Sequence, residues 1–194
     1  MERLRTPAGR VIAPLVSLLI RCGVTADSIT IAGCVGSCAV GVVIALGQLS
    51  AAGVAFLLVS ALDMFDGAVA RATGTVRPFG AFLDSVLDRF AEAAIFAGLV
   101  YYYAGQTRPI EASVAALALI GSFGVSYARA RAEGLGIDCS IGWFQRPERV
   151  VLTGAGLILH EYLLFPAIIL LAALTFITVW QRAVHVAGQL GEHS

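Results

Sequence analysis

The sequence predicts an all-α integral membrane protein, with six transmembrane helices after an N-terminal interfacial amphipathic helix, on three observations. Of the 194 residues 58% are hydrophobic and 13% charged, and the mean hydropathy of +0.85 exceeds what one soluble core of this length requires. Apolar runs approaching the ~20 residues that a helix needs to cross a bilayer recur along the chain, cut by charge, Gly and Pro. All 13 basic residues are Arg, and with the N-terminus inside only Arg108 falls on the outer side. Acidic residues also number 13, so net charge points to no nucleic-acid partner. Nucleic-acid folds, disulfide-rich modules and soluble α/β enzymes are thereby disfavoured. Cys22, Cys34, Cys38 and Cys139 form no CxxC pair and read as small core residues.

The elements follow in order. Residues 1–25 form a juxtamembrane segment in which Arg3, Arg5, Arg10 and Arg21 alternate with Leu, Ile and Val, the pattern of a helix lying in the interface. Spans are predicted near 29–49, 52–71, 79–103, 110–131, 150–162 and 165–182. The fifth is short and should begin earlier, at Pro147, a residue suited to a first helical turn. Connections at 47–51, 105–109 and 160–166 are short and lie outside, while the inner ones carry most of the polar residues. Residues 1–194 therefore read as one multi-pass domain in the cell (inner or plasma) membrane, its N-terminus and chemistry cytoplasmic.

Ionisable groups inside a span are costly unless paired, hydrated or metal-bound. Asp63, Asp66 and Arg71 nevertheless end the second span, and Asp84 and Asp88 begin the third. Spacings of three and four put each Asp pair on one helical face. A short turn around 74–78 would make the two helices antiparallel neighbours, so that the faces meet. Four converging carboxylates call for cations, and an all-oxygen set suits Mg²⁺ or Mn²⁺, with room for two ions. Gly67, Ala70 and Gly80 continue these faces; such small residues serve close helix packing or leave room for a ligand. Arg71 is either a positive-inside anchor or a phosphate fork. Asp27, Ser28, Ile29 and Thr30, preceded by Thr25, open the first span, where Asp and Ser suit an N-cap.

The run D-x2-D-G-x2-A-R-x8-G-x3-D-x3-D, from Asp63 to Asp88, resembles the signature of the CDP-alcohol phosphotransferase family at every fixed position. The resemblance implies transfer of a phosphatidyl group from CDP-diacylglycerol, or a related CDP-lipid, to a hydroxyl acceptor with release of CMP. It implies metal ligation by Asp63, Asp66, Asp84 and Asp88, with Asp88 also the base. It further implies contacts to the CDP-lipid from Asp27, Ser28, Ile29, Thr30, Gly67, Ala70, Arg71 and Gly80, and a homodimer. The chain departs from relatives at Ala26, often Pro, and at Arg77 and Pro78, where others carry Thr or Ser and Arg.

Ser126-Tyr-Ala-Arg-Ala-Arg-Ala-Glu133 and Arg146-Pro-Glu-Arg149 resemble the phosphatidylinositol phosphate and archaetidylinositol phosphate synthases of that family. That likeness implies that Arg129, Arg149 and Arg182 grip the phosphate of a phosphorylated polyol, most simply myo-inositol phosphate. Glycerol 3-phosphate, the acceptor of a phosphatidylglycerol phosphate synthase, would satisfy the same cluster, and any one Arg would also serve as a lipid anchor. Gln145 stands where many relatives have Glu. A small cation channel or transporter is the reading from another class; it would use the Asp residues as an ion path, but neither inverted repeats nor broken helices support it.

Overall fold

The computed structural model describes residues 7–191, with side chains from residue 13 onward, and every regular element there is helical. Arg3, Arg5 and the side chain of Arg10, part of the expected amphipathic pattern, lie outside this description. The helices are α1 (Pro7–Arg21), α2 (Ala26–Ala45), α3 (Leu49–Thr73), α4 (Pro78–Gly105), α5 (Pro109–Glu133), α6 (Arg146–Ile158) and α7 (His160–Gly191).

Local chemistry explains most of the boundaries. Thr25, not Asp27 or Ser28, caps α2: its Oγ1 accepts from the backbone N–H of Ser28, and the Ser28 hydroxyl faces the Thr25 N–H in return. Gly74 ends α3 in the left-handed region at φ +66°, where a side chain would be strained. Pro78 and Pro109 open α4 and α5, and Pro147 sits in the first turn of α6, as expected. The predicted connection at 160–166 is instead the first turns of α7, with Pro166 inside the helix. Leu164, Ile168, Leu171, Thr175, Thr178 and Arg182 form one buried stripe along it, and burying that stripe outweighs the backbone hydrogen bond that Pro166 cannot donate.

Helices α2, α3, α5 and α7 are each long and apolar enough to cross a membrane. Helix α4 carries Asp84, Asp88, Arg89 and Glu92, and α6 has 13 residues, about 20 Å of rise. Cys22 and Cys38 are exposed rather than core, and only Cys139 of the four is buried.

Packing follows a closed ring in the order α2, α4, α5, α7, α6, α3 and back to α2. The anticipated neighbours α3 and α4 are not among the packed pairs; α2 lies between them, so the turn at 74–77 joins two helices that stand apart. Small residues permit this wedge. A Cβ on Gly98 of α4 would collide with the Gly41 carbonyl of α2, and one on Gly41 with the backbone of Ala94. Gly98→Ala is therefore expected to cost about 1–3 kcal/mol, the usual scale of overpacking, read as a lower Tm of the detergent-solubilised protein. Gly188→Ala, where nothing lies within 4 Å of the new methyl, should leave Tm unchanged or raise it slightly. Outside the ring, α1 rests on α3 through Val16, which joins Ile29 and Val69 in a small apolar cluster.

Candidate active site

The carboxylates of α3 and α4 face each other across the gap that α2 holds open. Asp66 is buried and accepts from the Thr30 hydroxyl at 3.0 Å and from the Gly67 N–H, so α2 positions it directly. Asp63 nestles against Gly33 of α2, where a Cβ would come within 3.2 Å of its Oδ1. Electrostatic coupling links Asp63 to Asp66 and Asp84, Asp84 to Asp66, and Asp88 to both Asp63 and Asp84. The four predicted carboxylates thus share one neighbourhood.

What balances them is a residue of the Arg146-Pro-Glu-Arg149 run, which the sequence did not tie to the carboxylates. Arg146, the first residue of α6, donates from Nη2 to Asp63 Oδ2 and to Asp88 Oδ1, both at 2.6 Å, and pairs through Nη1 with Asp88 Oδ2. Arg89 adds a looser contact to Asp88 at 3.5 Å. Among the described residues no three Asp, Glu, His or Cys side chains stand at ligating distance from one point. The Arg146 guanidinium fills the space between Asp63 and Asp88, and a cavity of about 40 Å³ adjoins it, lined by Thr30, Gly33, Asp63 and Asp88. A clustered all-carboxylate donor set with water-sized space beside it fits Mg²⁺ or Mn²⁺ in chemistry.

The residues expected around the nucleotide divide. Gly67 lies under Arg71, whose Nη1 would be 3.0 Å from a Cβ there, and Ala70 is half-buried one turn along. Gly80 faces Asp27 across the α2–α4 contact, and Asp27 is ion-paired with Arg77. Ser28 is exposed nearby. Ile29 does not join them: its side chain is buried with Val16 and Val69.

A second cavity, of about 850 Å³, opens beside Asp88. Arg129, Arg149 and Arg182 all line it, together with Arg89, Arg146 and Ser126. Each expected Arg is held by a partner: Arg129 by Glu133 at 2.7 Å, Arg149 by Glu92 at 3.0 Å, and Arg182 by the carbonyls of Ile141 and Val125. The contact to Ile141 also pins the loop between α5 and α6, which is further tied to α7 where the Phe144 N–H donates to Thr178. Gln145 sits in that loop, its amide donating to the carbonyls of Ser140 and Gly142. Arg149 and Arg182 are nearly buried, which sets them apart from half-exposed Arg129. Arg89 Nε, buried, has no hydrogen-bond partner among the described residues. Arg89 and Glu92 lie in the middle of α4 and were not among the expected site residues; their partners Asp88 and Arg149 mark them.

The two cavities share Asp88, Arg146 and Arg149, the smaller lying beside Asp63 and the larger also lined by Arg89, Arg129 and Arg182. The CDP-alcohol phosphatidyltransferase family model matches residues 23–186. The chain belongs to that family. This CDP-alcohol phosphatidyltransferase is thus a transferase of membrane lipid synthesis, with several apolar helices in a multi-pass arrangement, and the channel reading falls away. It is 39% identical over 191 residues to the phosphatidylinositol phosphate synthase of Mycobacteroides abscessus, covering 92% of this chain and 84% of that one. Identity to the archaetidylinositol phosphate synthase of Methanothermobacter thermautotrophicus is also 39% over 191 residues, covering 96% and 93%. Its fold matches the crystal structure of Mycobacterium tuberculosis phosphatidylinositol phosphate synthase with CDP-DAG bound, at TM-score 0.86 and 32% identity over 91% of this chain and 94% of that one. A second structure of that enzyme, in complex with manganese and citrate, matches at TM-score 0.84 and 33% identity over 89% and 87%.

Proposed function

We propose that this phosphatidyltransferase joins the phosphatidyl group of CDP-diacylglycerol to a hydroxyl of myo-inositol phosphate, releasing CMP. The observation that carries the reading is the shared position of Asp88, which borders both the carboxylate gap and the cavity containing Arg129, Arg149 and Arg182. The relatives named as inositol phosphate synthases support it, and so does the CDP-DAG bound in the matching structure.

In this reading Asp63, Asp66, Asp84 and Asp88 hold Mg²⁺ or Mn²⁺, two ions in number. When bound, these ions neutralise the donor diphosphate and orient the attacking and leaving oxygens. Gly67, Ala70 and Gly80 leave backbone-close room for the nucleotide, with Arg71, Asp27, Ser28 and Thr30 around it; Ile29 contributes packing only. Arg129, Arg149 and Arg182 seat the acceptor phosphate and thereby aim a ring hydroxyl at the donor. Asp88 takes the hydroxyl proton as the acceptor oxygen bonds to the β-phosphorus, and the bond from that phosphorus to the bridging oxygen breaks to free CMP. Helices α2 to α7 are the six spans, and α1 lies along the cytoplasmic interface. The whole chain acts as one domain of a homodimer, with the site facing the cytoplasm of the cell membrane.

An acceptor screen tests the reading, with CMP release from CDP-diacylglycerol followed using inositol phosphate, glycerol 3-phosphate, serine and free inositol. Inositol phosphate is expected to give the highest kcat/KM. Preference for glycerol 3-phosphate would assign the neighbouring phosphatidylglycerol phosphate reaction to the same cluster, and preference for an unphosphorylated alcohol would remove the phosphate-binding role.

The cluster makes its own prediction. Arg149→Ala removes a charge-assisted hydrogen bond worth about 1.5–3 kcal/mol, so the acceptor KM should rise about ten- to a hundredfold while the CDP-diacylglycerol KM stays put. The change also strands Glu92. Adding Glu92→Gln is therefore expected to restore Tm but not acceptor binding, which separates recognition from folding. Both KM values unchanged would mean that Arg149 serves only to pair Glu92 inside the fold.

A further inference from the structure

Arg146 stands in an unfavourable place for a cation. It opens α6, where the helix dipole is positive, so the carboxylates across the gap, and not its own helix, account for its position. Its two terminal nitrogens span Asp63 of α3 and Asp88 of α4, helices that do not pack on each other. The guanidinium thus bridges two of the four carboxylates that would hold a metal ion. It also has somewhere to go: its side chain is 37% exposed, and it lines the large cavity beside Arg149 as well as the small one beside Asp63.

We propose that Arg146 is a displaceable counter-cation of the metal site. In the metal-free protein it holds Asp63 and Asp88 at their spacing and offsets their repulsion. On metal loading it gives up the carboxylates and turns into the acceptor cavity, adding a positive charge there. Metal binding and acceptor recognition are coupled through this one side chain. The inference rests on the proposed metal ligation by Asp63 and Asp88.

Direct metal titration tests it without turnover. Purified protein free of both substrates is titrated with Mn²⁺, the unbound ion being counted by electron paramagnetic resonance, and Tm is measured in chelator and in Mn²⁺. Arg146→Met removes the competitor and keeps an apolar stem of similar reach. Its Mn²⁺ affinity is expected to rise about ten- to a hundredfold over wild type, the scale of one charge-assisted hydrogen bond. Its Tm in chelator should fall, and Mn²⁺ should raise that Tm more than it raises the wild-type value. Arg146→Lys holds one carboxylate at a time, so its affinity should lie between the two; it serves as the test if the Met variant does not fold. A lower Tm with Mn²⁺ affinity equal to or below wild type would make Arg146 a structural clamp and overturn the proposal. If neither wild type nor variant binds Mn²⁺, the metal site itself is wrong and the inference goes with it.

Discussion

Excess chelator is expected to abolish CMP release from CDP-diacylglycerol, by a factor of roughly a thousand or more, with recovery on adding back Mg²⁺ or Mn²⁺. The donor diphosphate has to enter a gap already holding Asp63, Asp66, Asp84 and Asp88. At about 4 Å and an effective dielectric constant near 20, each like-charge pair costs roughly 4 kcal/mol. Arg146 carries a single charge and already serves Asp63 and Asp88, so it cannot offset the donor as well. A rate in chelator within about tenfold of normal would show that the carboxylates do another job.

The second large effect concerns Asp88. Asp88→Asn keeps the shape and an oxygen acceptor for Arg146 but loses the ability to take a proton, and turnover should fall about 10²- to 10⁴-fold. Donor binding, measured as the Kd for CDP-diacylglycerol, should change little. The contrast with ligand loss is measurable. If Asp88 serves only to hold metal, turnover at saturating Mn²⁺ recovers; if it is the base, the loss persists whatever the metal concentration.

The site was legible in the sequence wherever a residue type was out of keeping with its surroundings. Asp63, Asp66, Asp84 and Asp88 stood out as carboxylates in apolar runs, and their helical spacing alone put each pair on one face. Helix positions were legible for the same reason, because apolar runs and their Gly, Pro and Thr boundaries are local signals. The order of helices around the ring was not. It depends on contacts such as Gly41 against Gly98, which join residues far apart in the chain and look in sequence like any other membrane glycine. A short turn between α3 and α4 suggested direct packing, whereas α2 separates them. Arg146 and Glu92 were hidden differently. Arg146 opens a helix, where a charge has an ordinary explanation, and Glu92 lies in the middle of α4; only the facing partner, Asp63 for one and Arg149 for the other, shows what each does.

The pairing of Arg146 with Asp63 also bears on how the protein is made. The two residues are 83 positions apart, which at about 5–20 residues per second means roughly 4–17 s of synthesis between them. Until Arg146 is made, Asp63 and then Asp88 stand without the guanidinium that bridges them. Near a membrane surface, water and mobile cations stand in for it. At the middle of the bilayer nothing would, so the depth of the aspartates is constrained by the timetable of translation as well as by the chemistry they perform.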